Sequence, residues 1–162
     1  TGLANAMETE SVNGIPTKYR RGYYQANSGN CYSYRQVKQW NKEQRKHVLD
    51  YKDTQIANYF CQGEASFIVQ AACGRVVSEF MKRDFFGGKA LLINTVHDAI
   101  YLDCADEATA IEAGILVREI MESTPKWLAK VIPALKEWRY DVVPFPAAAE
   151  QGSSMAHKEH IH

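Results

Sequence analysis

The 162-residue chain carries 19 Lys+Arg against 19 Asp+Glu, with 46% apolar and 23% charged residues. Length and apolar fraction suit one domain with a real core, and they exclude disorder, which pairs low hydrophobicity with high net charge. No run approaches the roughly 18 apolar residues that span a bilayer, so no membrane partner is expected.

Residues 1–35, rich in Gly, Asn, Ser and Tyr, lack a sustained period and read as an irregular basic and aromatic segment, with a short strand pair at Ile15–Tyr24. Residues 36–52 set Val37, Trp40, Val48 and Tyr51 among charges, the pattern of a weak amphipathic helix with Lys38, Lys42, Arg45 and Lys46 on its solvated face. Asp53 is a good N-cap for the strongest helical signal, which runs through Ile56, Tyr59, Phe60, Phe67, Ile68, Ala72, Val76 and Phe80. Gly63 and Gly74 weaken that helix unless something must approach closely, and Phe86-Gly87-Gly88 ends it.

The period then falls to two. Residues 90–96 and 99–104 read as strands of a tight β-hairpin with His97 and Asp98 at its tip. Asp106–Glu122 returns to helix, and Pro125 opens a further helix that Pro133 kinks or splits. Tyr140, Val142 and Val143 suggest a last strand, and the polar stretch 157–162 a frayed tail. The fold class is therefore α+β, with long helices packed on a small antiparallel sheet. Phe67, Phe80, Trp127 and Trp138 are expected in the core. Cys31, Cys61, Cys73 and Cys104 form no CxxC pair, and Thr1-Gly2-Leu3-Ala4 lacks the features of a signal peptide; both suggest a reduced, cytoplasmic protein.

Charge is partitioned along the chain. Residues 17–52 hold nine cations and two acids, net +7, whereas residues 97–123 hold seven acids and one cation, net −6. Neutrality thus conceals two opposite surfaces. Lys18-Tyr19-Arg20-Arg21-Gly22-Tyr23-Tyr24 interleaves cations with aromatics, suiting phosphate contact and stacking as well as a solvated loop. Asn58 and Gln62 are one helical turn apart, so both amides share a face. Taken locally, His97-Asp98 reads as a solvated turn, because Asp is a favoured turn residue.

The wider string Leu92-Ile-Asn-Thr-Val-His-Asp-Ala-Ile-Tyr-Leu-Asp103 resembles motif C of family A DNA polymerases, the DNA polymerase I and phage group. Asn58-Tyr-Phe-Cys-Gln-Gly63 is similar to the helix that precedes this motif in the family, and Phe145–Met155 to its closing stretch. The resemblance covers roughly residues 14–156 and implies a C-terminal palm portion at 36–156 of a DNA-directed DNA polymerase. By that resemblance Asp98 is a metal-binding catalytic aspartate, sharing two Mg²⁺ ions with a second aspartate, and His97 lies beside the primer terminus. Asn58, Gln62, Lys18, Arg20 and Arg21 would contact primer–template DNA.

The chain departs from the family in two ways. Ala99 stands where the commoner pattern has Glu, and neither the strand carrying the partner aspartate nor the fingers helix that binds the dNTP is found. The implied protein is a piece of a larger or split polymerase, inactive alone, working with the remaining polymerase polypeptide in a bacterial host cytoplasm if phage-encoded. Two rivals remain. One is a non-catalytic DNA-binding or subunit-interaction remnant; the other is an HD-type metal phosphohydrolase, which needs its His-Asp pair on a helix.

Overall fold

Strand pairing dominates the first fifty residues. The computed structural model describes residues 4–12, 14–154 and 156–161, and its architecture is α+β, with small antiparallel sheets and helices. It divides into two compact units, 1–64 and 65–162. No helix among the described residues is long and apolar enough to cross a membrane.

In the first unit β1 (Ala4–Val12), β2 (Ile15–Gln25) and β3 (Cys31–Arg35) form one antiparallel sheet in the order β1-β2-β3. The expected strand pair at Ile15–Tyr24 is therefore one long hairpin plus a third strand, and the loop reading of residues 1–35 is corrected. Cations and tyrosines populate both faces of β2, so no apolar/polar alternation marks it.

The weak helix expected over 36–52 is also corrected. β4 (Val37–Asn41) and β5 (Lys46–Asp50) form a hairpin in register Trp40↔His47, with Arg45 in the left-handed region at φ +49°. Val37, Gln39 and Val48 are half-buried while Lys38, Trp40 and His47 are exposed, a period of two rather than 3.6. Asn41 Oδ1 accepts from the Gln44 amide at 2.8 Å and fixes the turn.

Helix α1 spans Asp53–Lys82, as the sequence indicates, without interruption at Gly63 or Gly74. A Cβ at Gly63 would overlap the ring of Tyr32, whereas one at Gly74 meets nothing within 4 Å. Close approach thus explains the first glycine; nothing in the structure explains the second.

In the second unit the chain leaves α1 through α2 (Asp84–Gly88), where Phe85, Phe86 and Gly87 adopt left-handed angles between Asp84 (φ +51°) and Gly88 (φ +78°). The turn stacks Phe86 edge-on against Phe80 at 5.2 Å. β6 (Ala90–Val96) and β7 (Ala99–Cys104) then form the expected hairpin, with a bulge between Leu92 and Asn94. Its inner face packs Ala90, Leu92, Ile100 and Leu102 against Val76 and Phe80 of α1 and against Ala113, Val117 and Ile120 of α3 (Glu107–Val131). Asp106 caps α3, its Oδ1 accepting from the Thr109 amide at 2.8 Å.

Pro125 lies inside α3 rather than at the start of a new helix, correcting the expected break. Proline removes one ladder donor, and side chains brace the region. The neighbouring Ile120 carbonyl accepts from Thr124 Oγ1 (2.6 Å), Ser123 Oγ (3.1 Å) and Arg75 Nη1 (3.0 Å). Arg75 also lies over the Trp127 ring, which is 39% exposed, so Trp127 is a surface residue and not the core residue expected. Phe80 is fully buried, and Phe67 and Trp138 pack on a second core of Leu128, Ala129, Leu135 and Tyr140.

Pro133 opens a 3-10 helix, Pro133–Trp138, and residues 140–143 form turns in place of the expected strand. The last strands lie later, β8 (Glu150–Ser154) pairing with β9 (His157–His160). Residues expected to fray are thus paired; His162 lies outside the described residues. Ile161, 8% exposed, hydrogen-bonds Ala149 and rests where Gly114 of α3 lacks a Cβ.

Candidate functional site

The β6–β7 register pairs Val96 with Ala99, leaving His97 and Asp98 as a two-residue tip. His97 takes φ +53°, the left-handed conformation such tips require, and both side chains are exposed. The carboxylate therefore stays hydrated while its strands are anchored to two helices. Asp103 lies near the base of β7, not at the tip.

One carboxylate does not hold two divalent cations. Among the described residues no group of three or more His, Cys, Asp or Glu side chains could hold a metal. The described residues therefore do not fit a two-Mg²⁺ centre on their own. The histidines of β9 join no such group either, although His157 Nδ1 shares a hydrogen bond with Ser154 Oγ at 3.2 Å. The His97-Asp98 pair sits between strands, so the helical placement that the HD-type reading needs is missing.

On α1, Asn58 and Gln62 are both exposed, one turn apart, as their spacing implies. The three β2 cations divide. Lys18 and Arg20 are exposed at alternate positions and share one face of the sheet. Arg21 is half-buried on the opposite face, donating to Ser33 Oγ at 3.1 Å. On that second face the Arg35 guanidinium lies 4.2 Å from the Tyr19 ring centre and pairs with Glu10. Arg21 is thus separated from Lys18 and Arg20 by the sheet itself.

Sequence reasoning missed a polar network beside Gln62. Glu64, only 6% exposed, accepts at Oε1 from Ser28 Oγ (2.8 Å), Asn30 Nδ2 (3.3 Å) and Tyr32 OH (2.7 Å). Its Oε2 is buried without a hydrogen-bond partner among the described residues. Burial and the Glu64 carboxylate push the Tyr32 phenol well above its ordinary pKa. Phe60 lies against the edges of both Tyr24 and Tyr32, so the β2–β3 hairpin is clamped to the first turns of α1. The signal that could have revealed this network is an acid next to a helical glycine on an otherwise apolar stripe.

The four cysteines are free thiols; burial raises the pKa of Cys73 and Cys104. No family model, curated protein or solved structure matches the chain.

Proposed function

We propose that the chain is the C-terminal palm part of a larger or split DNA-directed DNA polymerase of family A, active in replication. The observation that carries this reading is Asp98, held exposed on a two-residue tip whose strands pack on two helices. A reactive carboxylate needs such rigid support, and its exposure leaves it open to a metal or substrate. Asn58 and Gln62 supply amides that can meet the minor-groove acceptors shared by all base pairs, and Lys18 and Arg20 supply phosphate contacts. The chain would contribute the primer–template platform and one metal ligand; the other aspartate and the dNTP site belong to the remainder of the polymerase. The cytoplasm is the setting this reading implies, that of a bacterial host if the chain is phage-encoded.

The lone carboxylate also favours a second reading, a polymerase remnant that binds DNA without catalysis. Fluorescence anisotropy on a primer–template duplex, followed by primer extension with the product of the adjacent reading frame, separates them. Duplex binding that weakens with salt and with N58A/Q62A, and extension that Asp98→Asn abolishes, support the enzyme. Binding without extension leaves the remnant. Primer extension by the isolated chain would sink the split-enzyme reading.

A further inference from the structure

We propose that the β4–β5 hairpin is a single-strand-binding arm, in which Trp40 stacks on an unpaired DNA base and Lys38, Lys42, Arg45 and Lys46 meet the flanking phosphates. The proposal rests on the reading above for its choice of DNA, but it needs neither Asp98 nor a metal.

Trp40 is 55% exposed although it lies within a strand. Indole is costly to leave in water and supplies a broad π-surface for any base. His47, directly opposite, meets it edge-on at 5.2 Å and 71°, which orients the indole without covering both its faces. Lys38 and Leu49 pair on the same face, so a cation and an apolar side chain extend the platform. Lys42 and Arg45 occupy the turn and Lys46 begins the return strand, all exposed. Among the described residues none of these four cations has an ion-pair partner.

A shallow cleft of about 380 Å³ is lined by Trp40 and Lys42 and, from the opposite face of the hairpin, by Gln39, Asn41, Val48 and Asp50. Its amides can accept and donate at a base edge, and Lys42 among them can meet a phosphate. Non-specific single-strand sites combine these two elements, stacking surfaces within a cationic track.

The test uses the full chain and fluorescence anisotropy with three probes: an oligothymidylate of about 12 nucleotides, an abasic strand of equal length, and a blunt duplex. The abasic strand should bind at least about fivefold more weakly than oligothymidylate. Trp40→Ala should weaken oligothymidylate binding to a similar extent, while Trp40→Phe retains most of it. K42A/K46A should lower the salt slope by about 0.7 for each phosphate that no longer meets a cation. Equal binding of the abasic and thymidine strands, or a Trp40→Ala protein with unchanged affinity, overturns the proposal. Failure of the polymerase reading looks different, with duplex binding lost and oligothymidylate binding intact.

Discussion

Gly63 on α1 leaves the space that the ring of Tyr32 occupies: a Cβ there would lie 2.7 Å from Cζ of that ring. Gly63→Ala therefore forces Tyr32 aside and breaks its hydrogen bond to Glu64. Overpacking of this kind costs about 1–3 kcal/mol, which outweighs the better helix propensity of alanine. At Gly74, which has open space, alanine should instead stabilise by about 0.5–1 kcal/mol. Urea denaturation of the two variants measures the opposite signs; a stabilised Gly63→Ala protein would contradict the packing.

Tyr32 also predicts an alkaline limb. Burial, followed by the hydrogen bond and charge of Glu64, raises its pKa from the ordinary value of 10.0. The folded state therefore holds this proton more tightly than the unfolded chain does. That contribution is complete below pH 10 and is lost as pH climbs towards the folded-state pKa. Tyr32→Phe should flatten the decline in denaturation midpoint above pH 10 relative to the wild-type chain.

Asp106 has the opposite sign. Its side-chain and backbone hydrogen bonds from Thr109, with Lys89 Nζ at 3.1 Å, hold its pKa at about 2 against an ordinary 3.8. Its contribution is present above pH 3.8 and disappears as pH falls through about 2. Asp106→Asn keeps a capping side chain but no longer titrates, so acid denaturation followed by circular dichroism should lose part of its pH dependence in that window.

Thr124 and Ser123 both donate to the Ile120 carbonyl, but only Thr124 is buried, and its Oγ1 accepts from Arg75 at 2.8 Å. Thr124→Val leaves the part-buried Arg75 guanidinium one acceptor short and should cost about 1–3 kcal/mol. Ser123→Ala, at the exposed end of the same network, should stay within about 0.5 kcal/mol. Equal effects on thermal unfolding would argue against a brace around Pro125.

Long elements buried on one side were legible in the sequence. Val76 and Phe80 stamp a helical period on α1, Ile100 and Leu102 a period of two on β7, and these two signals locate the His97-Asp98 tip. β1, β3 and the β4–β5 hairpin were not legible, and β2 only as a short strand pair, because exposed cations and aromatics occupy positions that alternation would reserve for apolar residues. Pro125 misled because the side chain that braces the turn before it, Arg75, lies far away in sequence. β9 was hidden because a single apolar residue, Ile161, anchors it. Of the candidate residues, the pairing of Asn58 with Gln62 followed from spacing alone. The separation of Arg21 from Arg20 required knowing that β2 is a strand with two occupied faces.

The bulge in β6 absorbs one residue and preserves the facing of everything beyond it. Leu92 pairs with Leu102, whereas Asn94 pairs with Tyr101, so Ile93 is the residue that lets Thr95 rather than Val96 continue the inner row. Removing Ile93 would shorten the strand by one residue and erase the bulge without inverting anything, since Asn94, Thr95 and Val96 would keep Tyr101, Ile100 and Ala99 opposite them. A single-codon deletion there would straighten the strand and leave the tip facing as it does, whereas the same deletion between Ala99 and Leu102 would turn it over.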